Sequence, residues 1–87
     1  MNIDYNRSGL DFLVTEAETG LMFADFALTA ATGEFDKIRR NTANARLAYD
    51  TILRFRDRFK MDSPVGRELG NLVDKLRRNL IRLNEEV

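Results

Sequence analysis

Apolar side chains recur along the chain at steps of three and four in three long stretches separated by two short breaks. The first series is Leu10, Leu13, Ala17, Leu21, Ala24, Leu28 and Ala31, which predicts one face of a helix over about residues 8–31. Ser8 is its expected N-cap, with Asp11 three positions on as a weak form of the capping box. Thr32-Gly33 ends it, because Gly33 can adopt the left-handed conformation of a C′ residue without a Cβ penalty. The second series is Ile38, Ala45, Ala48, Tyr49, Ile52, Phe55 and Phe59, on a helix expected over about 34–60. Glu34 and Asp36 sit in its first turn, where the macrodipole favours them. Arg54 to Phe59 alternate as a strand would, yet Phe55 and Phe59 continue the row of Ala48 and Ile52 at helical spacing. The third series, Leu69, Val73, Leu76, Leu80, Leu83 and Val87, is a heptad seam, widened by Val65 and Leu72. Its helix is expected over about 64–86, with Ser63 as N-cap and Pro64 at the first helical position. Gly66 and Gly70 weaken its first half by about 1 kcal/mol each relative to alanine.

Three helices of roughly 35–40 Å, at about 1.5 Å per residue, are matched in length. Connections this short force neighbours to lie antiparallel. The expectation is an all-α, antiparallel up-down-up three-helix bundle forming a single domain over 1–87, with residues 1–7 loosely held.

The turn Gly33-Glu34-Phe35-Asp36-Lys37-Ile38 resembles the Gly-x-Tyr-x-x-Ala corner between the two helices of a tetratricopeptide repeat. The resemblance covers that turn alone. The small residue such a repeat carries in its preceding helix falls on Phe26, its aromatic on Thr29 and its closing proline on Asp50. A second copy, which a repeat array requires, is absent from the sequence. The resemblance therefore implies a helical hairpin with a similar corner. The run Asn44 to Phe55 is similar to segments of short, uncharacterised bacterial helical proteins, a resemblance that carries no functional residue with it.

Composition narrows the chemistry. The 87 residues hold no cysteine and no histidine, which removes disulfides, thiolate metal sites and the commonest general base and transition-metal ligand. Glu16, Glu18 and Asp25 could suggest a carboxylate metal cluster, but di-iron bundles pair glutamate with histidine, and a solvated acidic face is the expectation. Serine, cysteine or histidine nucleophile arrangements and glycine-rich phosphate loops are missing. An enzyme, a metal and a cofactor are not expected. The N-terminal MNIDYNRSG lacks the apolar core of a signal peptide, and apolar runs are far too short for a membrane span. A cytoplasmic protein is the expectation.

Charge is neutral overall, from 14 basic and 14 acidic residues, but unevenly laid out. Up to Glu34 there is one basic side chain against six acidic ones; Phe35 to Lys60 hold eight basic and three acidic. The sequence predicts that the acidic first helix is counter-charge for the basic second. The sharper alternative is that Arg40, Arg54 and Arg58, facing away from the second core row with Leu47 and Thr51, bind an anion or nucleic acid. Zero net charge argues against that. The first helix also carries a surplus: Phe12, Phe23, Phe26 and Ala30 form a second apolar row, with Met22 near its edge. This row either packs on the third helix as a widening of the core or completes its burial against a partner. On the second account these four are the candidate partner-binding residues, and the predicted function is a helical protein–protein interaction or assembly module, the partner a protein, with a second copy in a homodimer as one form of it.

Overall fold

A computed structural model describes residues 4–87. Three helices pack together: α1 (Tyr5–Leu28), α2 (Phe35–Phe55), continued by a 3-10 turn at Arg56–Arg58, and α3 (Pro64–Arg82). The architecture is the all-α three-helix arrangement that the periodicity predicts, and no strand occurs among the described residues. Its boundaries differ from the expected ones for identifiable reasons.

Helix α1 begins three residues before Ser8, because the carboxylate of Asp4 accepts the backbone N–H of Arg7 at 2.9 Å and takes the N-cap role. Residues 5–7, expected to be loose, form its first turn. Asn6 ties that turn down: its Oδ1 accepts from the Lys60 N–H at 2.6 Å and its Nδ2 donates to the Lys60 carbonyl at 3.2 Å. Residues 1–3 of the segment expected to be loose lie outside the described residues. At the other end the Thr29 hydroxyl donates to the Asp25 carbonyl at 2.7 Å, and the chain leaves the helix before Ala30. Gly33 then turns with φ +95°, the conformation for which glycine is suited.

Helix α2 stops at Phe55 rather than running to Lys60. After the 3-10 turn, Phe59 is already extended (φ −124°, ψ 152°), yet its side chain still packs on the core. Its ring lies against Gly9, where a Cβ would collide with it. The apolar row continues in space although the helix does not. Ser63 caps α3 as expected, its Oγ accepting from the Gly66 N–H at 3.1 Å. Gly66 in turn lies so close to the Met61 carbonyl that no side chain fits. Helix α3 ends at Arg82 because Asn84 takes a left-handed φ of 65°. The Asn84 N–H donates to Ile81 O and the Glu85 N–H to Leu80 O, each at 2.9 Å, the bond pair of a Schellman cap. Arg46 of α2 then holds the segment that follows, through the Glu86 carbonyl and the Glu85 carboxylate.

The core joins Leu10, Leu13, Ala17 and Ala24 to Ala45, Tyr49 and Ile52 and to Leu69, Val73, Leu76 and Leu80. On α1 the buried row is Leu10, Leu13, Ala17, Gly20, Ala24 and Ala27. The expected row through Leu21 and Leu28 is thus displaced by one residue in its second half; both are only half-buried. Gly20 explains the displacement. A Cβ there would stand 2.9 Å from the Ala48 Cβ and 2.9 Å from a Leu76 methyl, so the glycine lets α1 touch both other helices at one level. Helix α1 is the central element, since α2 and α3 each pack on it more extensively than on each other.

Three substitutions check this core. Leu76→Ala removes a fully buried side chain and is expected to cost about 2–5 kcal/mol. Gly20→Ala should lose about 1–3 kcal/mol through overpacking, because the Ala48 Cβ cannot move without its helix. Gly70→Ala, on the exposed side of α3 with open space around it, should gain about 1 kcal/mol. Urea melts followed by far-UV circular dichroism compare them; a Gly20→Ala protein as stable as Gly70→Ala would show that the helices do not meet there.

Candidate functional site

Burial sorts the apolar residues of α1 in an unusual way. Its inner face in the second half is small, Ala17, Gly20, Ala24 and Ala27, while large side chains lie outside. Phe12 is 56% exposed, Met22 48% and Phe26 45%. Large apolar residues are ordinarily the ones buried. The four candidate residues divide accordingly. Phe23 is half-buried and packs against the core, Ala30 is intermediate, and Phe12 and Phe26 are exposed. Tyr5, 76% exposed, belongs with them. Tyr5, Phe12, Thr19 and Phe26 recur every seven residues and so run as a stripe along one line of the helix. Seven-residue spacing could have identified Tyr5 from the sequence, had the helix start been placed at Asp4.

Phe12 opens into an apolar cleft of about 360 Å³ between α1 and the end of α2, lined by Gly9, Leu13, Thr51, Phe55, Arg58 and Phe59. Phe55, one of the lining residues, carries two guanidinium groups over its ring, Arg54 at 5.7 Å and Arg58 at 5.0 Å from the centroid, within cation–π range. Thr51 is one helical turn from both Leu47 and Arg54. The exposed row of α2, Arg40, Leu47 and Arg54, therefore borders the same side of the bundle as Phe12. Leu47 is 66% exposed. This α1–α2 side combines an apolar centre with an arginine edge.

The electrostatic layout differs from expectation. Ion pairs form within helices or at their caps: Arg7–Asp11 at 4.0 Å, Lys37–Glu34 at 3.5 Å, Arg39–Asp36 at 2.6 Å, Arg46–Asp50 at 3.1 Å, and Arg78–Asp74. Arg46–Glu85 at 3.7 Å links α2 to the segment after α3. Among the described residues no ion pair joins α1 to α2, so the predicted cross-helix counter-charge is not realised as contacts. Geometry gives the reason. Asp11, Glu18 and Asp25 lie about 130° round α1 from its buried row, at about 100° per residue, and point away from α2. Arg40, Arg54 and Arg58 are exposed, and none of them has a carboxylate within ion-pair distance among the described residues.

Two other clefts are polar at their edges. One of about 330 Å³ lies between the starts of α1 and α3, lined by Asp4, Asn6, Arg7, Ser63, Pro64 and Val65. Another of about 340 Å³ lies between α2 and the end of α3, beside Phe35, Thr42 and Leu83. In the first cleft the Asp4, Asn6 and Ser63 side chains are taken up by the backbone N–H groups of Arg7, Lys60 and Gly66. Among the described residues no three acidic side chains come together as a metal-holding group, and no helix is long and apolar enough to cross a membrane. No family model matches the chain, and neither a curated protein nor a solved structure matches it.

The division of the phenylalanines is measurable. Phe23→Ala should cost roughly 1–2 kcal/mol, a share of the 1.5–3 kcal/mol for full burial. Phe12→Ser and Phe26→Ser should each cost less, near the ±0.5 kcal/mol typical of surface positions. Denaturant melts at low protein concentration give these values, and equal losses at all three positions would show that the row is one buried unit.

Proposed function

We propose that the chain is a non-enzymatic helical assembly module whose α1–α2 side meets another protein surface. The exposure of Phe12 and Phe26, beside Met22 and Leu47 on one side of the bundle, carries this reading. Apolar surface collected in one place and edged by charge marks interaction sites, and an arginine and aromatic composition is typical of their centres. Phe12 and Phe26 are 56% and 45% exposed, so covering the remainder of each adds about half of the 1.5–3 kcal/mol of full burial, and association needs the neighbouring apolar and charged side chains as well. Catalysis is disfavoured by the lack of histidine and cysteine.

A second reading, anion binding through Arg40, Arg54 and Arg58, is favoured by one observation: among the described residues none of these arginines makes an ion pair. Against it stands the neutral chain, because binding to an extended polyanion grows with uncompensated positive charge.

Sedimentation equilibrium at tens of micromolar tests the first reading. The parent protein should exceed 10.0 kDa, and Phe12→Ser with Phe26→Ser should return it to that mass with its helical circular dichroism intact. A parent protein already at 10.0 kDa would sink self-assembly. For the second reading, fluorescence anisotropy with duplex DNA or RNA at about 150 mM salt, where the Debye length is about 8 Å, should show negligible binding. Micromolar affinity that falls steeply with added salt and disappears in Arg54→Glu with Arg58→Glu would promote it.

A further inference from the structure

Resting on the reading that the α1–α2 side is an assembly surface, we infer that its occupant is a second copy of this chain, related by a two-fold axis parallel to the helices, so that α1 of each copy lies over α2 of the other. The argument is charge complementarity along two stripes. Asp4, Asp11, Glu18 and Asp25 recur every seven residues, each immediately preceding a member of the Tyr5, Phe12, Thr19 and Phe26 stripe. Helix α1 therefore presents an aromatic line with an acidic line beside it. Helix α2 presents Arg40, Leu47 and Arg54 at the same seven-residue spacing, continued by Arg58. The acidic line makes no ion pair outside α1 and the basic line makes none at all among the described residues. Each stripe is what the other lacks.

Two ways exist to close a symmetric dimer through this side. A two-fold axis across the helices sets α1 on α1 and α2 on α2, arginine against arginine. An axis parallel to them sets α1 on α2, antiparallel, the aromatic line of one copy over the arginines of the other with the acidic line at the rim beside them. The second is the one that charge permits. It also fixes the register, because rotation about that axis leaves every residue at its own level along the rod. Gly9 lies level with Phe59 and Gly20 with Ala48. On that scale Asp25 stands within one turn of the level of Arg40 of the second copy, Glu18 within about one turn of that of Arg54, and Asp11 at that of Arg58, levels at which a long arginine at the rim can reach a carboxylate. Leu47 falls between the levels of Phe12 and Phe26, where it would cover apolar surface.

The bundle is elongated. A compact monomer of 10.0 kDa exposes about 5,200 Å² by the usual size scaling, whereas this one exposes 6054 Å². Its radius of gyration is 14.1 Å against about 12 Å for a compact chain of this length. The excess is that of a rod of 53 × 21 × 18 Å, whose α1–α2 side runs along the length of the helices.

A charge-swap experiment tests the pairing. One variant carries Asp11→Lys, Glu18→Lys and Asp25→Lys; the other carries Arg40→Glu, Arg54→Glu and Arg58→Glu. All six positions are exposed, and circular dichroism checks that each variant keeps its helices. By sedimentation at about 150 mM salt, which shortens general attraction to a Debye length of about 8 Å, the parent should run at twice 10.0 kDa. Each variant alone should run at half the parent mass, and an equimolar mixture should recover the doubled mass. A variant with Asp62→Lys, Glu68→Lys and Asp74→Lys, of equal charge but on the α3 side, should fail to recruit the arginine variant. A mixture that stays monomeric, or recruitment by the α3-side variant, overturns the pairing. A dimer indifferent to all the charge changes but lost in Phe12→Ser with Phe26→Ser overturns the pairing alone and leaves the assembly reading standing. A monomeric parent overturns the pairing and self-assembly with it.

Discussion

The close approach of α1 to both other helices at Gly20 is the constraint on which the rest of the fold depends. With the Ala48 Cβ and a Leu76 methyl each 2.9 Å from where a Cβ would stand, this level has no room for a side chain. The buried row around it is accordingly small, with Ala17, Ala24 and Ala27 on either side. Small residues bring helices close and gain dispersion contacts between backbones, but they bury little side-chain area themselves. The bulk of the core is supplied by Leu10 and Leu13 at one end of α1 and by Ile52, Leu69, Leu76 and Leu80 from the other helices. A helix this tightly held on its small side has no inner position left for Phe12, Met22 or Phe26. Their exposure thus follows from the packing that holds α1 at the centre.

Much of this was legible in the sequence. Helical periodicity located three helices, Gly33 marked the first turn, and Ser63-Pro64 marked the start of the third with its cap. What was not legible has physical causes. A pattern read from large apolar side chains passes over glycine, so the row was drawn through Leu21 and Leu28 where the structure buries Gly20 and Ala27. Ser8 looked like a cap because serine caps helices well, but Asp4 does so equally and stands earlier. The end of α3 depends on an asparagine at φ 65°, which few residues besides glycine tolerate and which nothing in the pattern around Leu83 announces. The exposed row was half legible: spacing identified Phe12, Phe23, Phe26 and Ala30 as a second face, but could not tell that Phe23 turns inward while its neighbours do not.

The charge layout was the least legible part. Opposite net charge on two adjacent helices suggests attraction between them, but ion pairs depend on where side chains point. Within a helix, positions three and four apart are always neighbours, so Arg7, Arg39, Arg46 and Arg78 find carboxylates locally. Such exposed pairs contribute well under 1 kcal/mol each and have little influence on helix order. The acidic line of α1 is turned away from α2 by the same phase that turns the alanines toward it. Segregated charge is then left on the outside of the rod, where its influence falls on whatever approaches.

An exposed aromatic stripe alone would be indiscriminate, since apolar burial is non-directional and favours any apolar partner, including disordered aggregates. Charged lines beside it alter that. Like lines opposed across a contact cost free energy, while unlike lines set orientation and register. On α1 the acidic line occupies one flank of the aromatics along the helix, and the arginines of α2 occupy the opposite edge of the same side. A partner of uniform charge satisfies one edge and is repelled by the other. A surface that carries both edges in the opposite order satisfies both, and this is the ground on which a second copy, turned about an axis along the helices, is proposed as the occupant. A neutral chain with its charges so separated fits the proposed self-complementary contact better than a contact with a partner of one charge, because two copies bring acid and arginine in equal measure.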